Sequence, residues 1–331
     1  MGISLAFWLI VSCALFWPTS EAVEPCFEVG GLIAPVFTPV YDDGSLRLDI
    51  VPQYAQYLKD NGVDGVLVAS TTGEGPNLNV SENKLLLDAW MEAAPPLDLK
   101  VISSVGAVPF PDTLEMAVYS EKIGVDAIMA LPEVFYKPRS VDDLVYYMEL
   151  IAEAAPETPL LYNDYPRYTG VYVNMVDFVR AATERITTFQ GVKSDVFDNV
   201  LLLRNKLIKD QKLYAGDSFY LAPDALLGYD NYVMVGLNIF PREIRGIIAD
   251  GDAIDRPRTL SRYERLRGLA DIILMEGNTI AAYKEAMKLV TGIDVGPVRP
   301  PQRPLTEEQK YRLESRLRAY DIDIVYSTIE D

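Results

Sequence analysis

The chain has 331 residues, 49% of them hydrophobic, with 48 acidic against 30 basic side chains and no histidine. That length holds one large core with room for an appendage, and the formal charge of −18 repels nucleic acid and anionic lipid, so neither is expected as a partner. Without histidine, and with two cysteines in all, the chain offers no ordinary transition-metal site, and no phosphate-cradling glycine loop is present; neither a metal nor another cofactor is expected.

Residues 1–22 stand apart from the rest. The run "ISLAFWLIVSCALFW" is uncharged and apolar, and "PTSEA" after it places small residues at Ser20 and Ala22. This is the layout of a secretory signal cut after Ala22, although no Lys or Arg precedes the run. It is shorter than the roughly 20 residues that cross a bilayer, so an uncleaved anchor is the lesser alternative. The mature chain is therefore read as secreted and extracellular, free of the membrane once the signal is cleaved. Cleavage removes Glu21 and no base, leaving a charge of −17, and it removes Cys13, leaving Cys26 without an internal partner. Such an acidic surface could attract calcium, mineral faces or basic extracellular-matrix partners, but the plainer reading is a soluble acidic protein. Asn79-Val-Ser81 is the single glycosylation sequon, a weak pattern.

From residue 29 onward, short β-rich runs alternate with amphipathic segments. The runs are "GLIAPVFTPV" (31–40), "GVLVAS" (65–70), "VISSVGA" (101–107), "AIMALP" (127–132), "PLLYND" (159–164), "TTFQGVKS" (187–194), "KLYAG" (212–216) and "YVMVGL" (232–237). Helical spacing of apolar residues marks 47–61, 81–94, 111–124, 140–154, 196–209 and 241–250, with Ser81, Asp112 and Ser140 as N-cap candidates. Eight strands alternating with helices predict an α/β (β/α)₈ TIM barrel. The rival, a doubly wound open sheet, lacks its G-x-G-x-x-G after the first strand, and the spacing is too regular for two lobes. Past residue 255 the strands stop, and 256–275, 278–291 and 306–319 read as three helices interrupted by the proline-rich "TGIDVGPVRPPQRP". The expected organisation is a signal peptide at 1–22, a barrel at 23–252 and a C-terminal helical extension at 253–331.

In such a barrel, chemistry sits at the C-terminal ends of strands and in the loops after them. "STTGEGPNL" follows the second strand, and its Thr71 and Thr72 hydroxyls and loop amides could hold a carboxylate. "LLYNDYP" ends the fifth strand, and Lys193 stands at the end of the sixth. A lysine losing solvation at an apolar-walled mouth becomes available as a free amine to attack a 2-oxo acid. Each signal alone is weak: a lone strand-end lysine is more often a solvated charge, and Thr-Thr-Gly is more often a turn.

Together they carry a resemblance. "TTGEGPNLNVSE", "VGA" at 105–107, "FYKP" at 135–138, "AAPETP…TGV", "TFQGVK" and "KEAMKLVTGIDVGPVRPP" resemble the dihydrodipicolinate synthase/N-acetylneuraminate lyase family from about Gly31 to about Leu317, with "TFQGVK" and "LVTGIDVGP" similar to animal neuraminate lyases. These are class I Schiff-base enzymes on a tetrameric (β/α)₈ barrel with a helical tail. The resemblance implies Lys193 as the Schiff-base lysine, Thr71 and Thr72 as holders of the pyruvate carboxylate, a small 2-oxo acid as substrate and a homotetramer as assembly.

Departures from the family cluster at the site. Its G-T-T-G-E loop begins here with Ser70. Its proton-relaying tyrosine falls on Asn163, counting back from Pro166; Tyr162 takes that place only if a bulge slips the strand by one residue. The G-x-D-E that holds the sugar hydroxyls becomes Gly216-Asp217-Ser218-Phe219, with Asp217 a substitute acid only after a shift. Tyr232, Met234 and Val235 are expected where small residues line the pocket, narrowing it for a nine-carbon sugar. Two functions stay open. One is a secreted Schiff-base lyase or aldolase with an altered relay and pocket; the other is a secreted barrel without catalysis that binds matrix or other partners. If the signal reading holds, N-terminal sequencing of protein recovered from the medium starts at Val23, and a membrane-bound form starting at Met1 would refute it.

Overall fold

The computed structural model describes residues 27–208 and 210–325. Residues 1–22, read above as a signal segment, the cleavage site expected after Ala22, Cys13 and Cys26 lie outside them. Eight strands close a parallel barrel in chain order: β1 (Leu32–Pro35), β2 (Gly65–Val68), β3 (Lys100–Val105), β4 (Ala127–Ala130), β5 (Leu160–Asp164), β6 (Phe189–Ser194), β7 (Lys212–Ala215) and β8 (Tyr232–Val233). Between them run α1 (Val51–Asp60), α2 (Val80–Ala93), α3 (Phe110–Ile123), α4 (Val141–Ala154), the single turn α5 (Pro166–Thr169), α6 (Met175–Arg185), α7 (Phe197–Leu203) and α8 (Leu221–Leu226), and α9 (Pro241–Asp252) closes the ring. The helices α10 (Arg256–Leu274), α11 (Thr279–Thr291) and α12 (Glu307–Ala319) form the C-terminal extension. No helix among the described residues is long and apolar enough to cross a membrane.

Helix starts follow local chemistry, with two departures from expectation. Ser140 caps α4, its hydroxyl accepting from the Asp143 amide while the Asp143 carboxylate accepts from the Ser140 amide. At α2 the cap is Asn79 rather than Ser81, because Glu82 stands three residues on and completes the same box. Helix α3 starts at Phe110 behind Pro109, which leaves Asp112 inside the first turn instead of at the cap. Helix α7 is shorter than its pattern suggests and ends at Leu203.

Strand side chains alternate between two layers. Ala34, Val66, Ile128, Tyr162, Val192 and Tyr232 face outward beneath the helices, whereas Ile33, Leu67, Met129, Leu161, Tyr214 and Val233 fill the lumen. Phe27 and Val29 close the floor, and the Tyr214 hydroxyl donates to the Val29 carbonyl at 2.5 Å. The seam is brief. Only Tyr232 and Val233 pair with β1, and from Val235 to Asn238 the backbone winds into a 3₁₀ turn, so the expected strand 232–237 is cut short. The Asn238 amide takes over, donating to Pro35 O of β1 at 3.0 Å while its oxygen accepts from the Tyr54 hydroxyl at 2.5 Å.

One irregularity sets the site. Leu160 pairs with Phe189 but Leu161 pairs with Gly191, so β6 carries an extra residue at Gln190. Gly191 adopts φ +143°, and a Cβ there would run into the Lys212 backbone of β7.

The extension is joined to the barrel by a buried ion pair. Lys284 of α11 lies 2.8 Å from the Glu74 carboxylate in the loop after β2, with each side chain 1% exposed. Lys284 also donates to Thr38 O (2.9 Å) and Pro297 O (2.8 Å), and Glu74 accepts from the Arg299 amide (2.9 Å) and the Gln302 side chain (3.0 Å). Burial pushes the Lys284 ammonium below the ordinary lysine range while Glu74 opposes that push. Removing one partner strands the other charge in the interior. Lys284→Met is therefore expected to lower stability by about 3–5 kcal/mol, read as a lower urea midpoint, with the added change Glu74→Gln recovering part of the loss.

Candidate active site

Lys193 is the penultimate residue of β6, 6% exposed, and its register neighbours are Asn163 of β5 and Tyr214 of β7. Phe189 and Val192 both face the outer layer although three residues apart, which the extra residue at Gln190 permits, and Lys193 consequently faces the lumen. There it lines a cavity of about 110 Å³ with Ser70, Thr71, Thr72, Asn163, Tyr165 and Asp195, among others. The structure thus gathers Lys193, Thr71, Thr72, Asn163 and Gly216 around one space.

Tyr162 is elsewhere. It faces the outer layer with its ring 4.8 Å from Phe178, and burial pushes its hydroxyl well above the ordinary tyrosine range. A bulge does occur beside this position, but it falls on β6, so the parity of β5 is undisturbed. Asp217 is not among the lining residues; its carboxylate accepts from the Phe219 amide at 2.9 Å and caps the short turn Ser218–Tyr220. The expectation for β8 is corrected by the same parity. Tyr232 and Met234 pack outward, and Val233 and Val235 line the cavity. Asn79 is exposed and spent as the cap of α2.

Three buried polar side-chain atoms at the cavity take no hydrogen bond within the described residues: the Ser70 hydroxyl and the Asn163 side-chain oxygen, both on residues 3% exposed, and one Asp195 carboxylate oxygen. An asparagine neither gives nor takes a proton near neutral pH, so Asn163 can only orient a donor. The loop carrying the threonines is held from behind, by the Thr38 hydroxyl donating to Gly73 O and by the Glu74 ion pair.

Lys193 has two close neighbours in the cavity. Its ammonium forms an ion pair with Asp195 and sits 4.6 Å from the centroid of the Tyr165 ring. Gly216 leaves the room this requires, since a Cβ there would strike both the Asp195 carboxylate and the Lys193 side chain. Burial raises the Tyr165 hydroxyl above the ordinary range, with the Asp195 charge adding to it, and Arg167 donates to it at 3.5 Å. The adjacent Asp164 is not among the lining residues, and its Oδ2 accepts from the Ser194 hydroxyl (2.6 Å) and the Asn199 side chain (2.8 Å). Strand patterning missed Asp195 and Tyr165, because each lies just past a strand end where alternation no longer assigns a face. The only available signal was closeness in sequence to Lys193 and Asn163.

A larger cavity, about 920 Å³, opens on exposed aromatics that include Phe135, Tyr136 and Tyr172, and contains none of these residues. Among the described residues no group of three or more Cys, Asp or Glu is placed to hold a metal ion.

The chain is similar to known proteins along most of its length. N-acetylneuraminate lyase of Mus musculus is 28% identical over 301 residues, covering 90% of this chain and 94% of the mouse protein. The Xenopus tropicalis N-acetylneuraminate lyase is 33% identical over 281 residues, covering 82% and 90%. Among solved structures, Proteus mirabilis N-acetylneuraminate lyase superposes with a TM-score of 0.82 at 29% identity, over 89% of this chain and 99% of that one. The profile of the Dihydrodipicolinate synthetase family matches residues 28–320, and the chain belongs to that family.

Proposed function

We propose that the protein is a secreted Schiff-base lyase or aldolase that acts on a small 2-oxo acid, with Lys193 as the imine-forming amine and Thr71 and Thr72 as the carboxylate holders. The observation that carries this reading is the burial of Lys193 at a strand end, in one cavity with both threonines and with the unpartnered Ser70 and Asn163 oxygens. Its volume of about 110 Å³ suits a keto acid of pyruvate size; pockets for drug-sized ligands run to roughly 300–1,000 Å³. On the side that follows β7, where the resemblance places the acids that hold the sugar hydroxyls, Gly216 lines the cavity but Asp217, Ser218 and Phe219 do not. The proposed assembly is a homotetramer, which would cover aromatics such as Phe135 and Tyr136, 80% and 83% exposed in the single chain.

One observation favours the alternative of a barrel without turnover. Asn163 stands in the cavity at the position that the resemblance gives to the relay tyrosine, and it cannot move protons. Acid–base assistance is typically worth about 10²–10⁴-fold. Pyruvate with borohydride is therefore expected to leave a reduced adduct on Lys193, located by peptide mass, while N-acetylneuraminate cleavage is absent or slower than in family lyases by about 10²–10⁴-fold. Lys193→Ala should abolish the adduct. Failure to trap pyruvate or larger 2-oxo acids would leave the binding-protein reading, and brisk N-acetylneuraminate cleavage would overturn the altered-pocket reading.

A further inference from the structure

Resting on the Schiff-base reading of Lys193, we propose that Asp195 is the proton relay of this site, moving protons between the Lys193 nitrogen, the departing oxygen and C3 of a bound 2-oxo acid. Three observations carry it. The Asp195 carboxylate is in ion-pair contact with the reacting nitrogen itself. The oxygen that makes this contact takes no hydrogen bond from elsewhere, whereas Asp164 is occupied by Ser194 and Asn199, and Asp217 by the Phe219 amide. Asp195 also lines the cavity, with its amide anchored to Asp164 O at 3.3 Å and its carboxylate lodged against the space left by Gly216.

The other polar lining groups are poor relays. Ser70, Thr71, Thr72, Asn163 and Thr279 do not titrate in the working range. Tyr168 is largely exposed. Tyr165 presents its ring face to the ammonium, and its hydroxyl accepts from Arg167.

The steps balance with one carboxyl group. The Asp195 carboxylate takes a proton from the Lys193 ammonium, and the freed lone pair adds to C2 of the keto acid. The carbonyl π pair moves to oxygen, which receives that proton from Asp195. Asp195 next takes a proton from the nitrogen of this adduct and delivers it to the same hydroxyl. The hydroxyl leaves as water while the nitrogen lone pair forms the C=N bond. Asp195, a carboxylate again, removes a proton from C3; the C–H pair becomes the C2=C3 bond, and the C=N π pair returns to nitrogen. Reversal gives the proton back to C3.

The opposed reading is that Asp195 merely holds Lys193 in its charged state and restrains it. Hydrogen–deuterium exchange separates the two. Full-length mature protein is incubated with pyruvate in D₂O, methyl deuteration is followed by NMR, and trapping at Lys193 is measured in parallel with borohydride. Wild type is expected to trap and to exchange, and Asp195→Asn to trap on long incubation but exchange slower by about 10²-fold or more. In Asp195→Ala, added formate is expected to restore part of the exchange, a rescue that a purely structural role would not produce and that keeps the test alive if Asp195→Asn misfolds. Exchange unchanged or faster in Asp195→Asn, or no formate rescue in Asp195→Ala, would overturn the relay while leaving trapping intact. Absence of trapping in wild type would instead refute the Schiff-base reading and the relay with it.

Discussion

The backbone between Phe189 and Gly191 holds one residue more than the β5 segment it faces, and the face presented by every later residue of β6 follows from that. With regular alternation from Phe189, Lys193 would point outward into the layer where Tyr162 and Val192 pack under the helices. The extra residue inverts the parity and delivers Lys193 to the lumen opposite Asn163. The inversion depends on a φ of +143° at Gly191 and on close approach of the Lys212 backbone, conditions that exclude a side chain. A backbone constraint at Gln190 and Gly191 thus decides whether the barrel has a lysine in its mouth.

Two buried lysines in this chain show how partners separate an inert cation from a reactive one. Lys284 is surrounded by Glu74 and the carbonyls of Thr38 and Pro297, so its charge is neutralised and its N–H donors are used. Lys193 has a single carboxylate and the face of an aromatic ring. Those two contacts leave Lys193 facing a small cavity. Near Lys193 sit polar atoms with nothing to bind, on Ser70 and Asn163, whereas the Glu74–Lys284 cluster joins four separate segments of the chain.

Much of this architecture was legible from residue order because a strand buried on both faces reads as an unbroken apolar run. All eight runs became strands. The eighth was overextended because "YVMVGL" remains apolar after the backbone has turned into the 3₁₀ segment that brings Asn238 to Pro35. Of the three residues the resemblance put in the pocket, Val235 lines it with Val233, whereas Tyr232 and Met234 pack outward. Strand order puts Lys193, Thr71 and Thr72 at the same end of the barrel, and the extra residue at Gln190, which apolar patterning does not reveal, turns Lys193 into their cavity. Asp195 and Tyr165 were not legible, because their positions depend on how the chain leaves a strand, which apolar periodicity does not encode. The role of Glu74 was hidden for another reason: its partner lies more than two hundred positions away along the chain.

That distant pairing binds the histories of two segments that look separable. The barrel and the helical extension could be imagined as modules open to exchange by recombination, with the join near Asp252. A transplanted extension would arrive with whatever residue its own lineage keeps at the place of Lys284, and an unmatched Glu74 would then sit as a bare charge under the loop bearing Thr71 and Thr72. Exchange of either segment alone would leave one buried charge unmatched, so the mouth and the tail are physically a single unit.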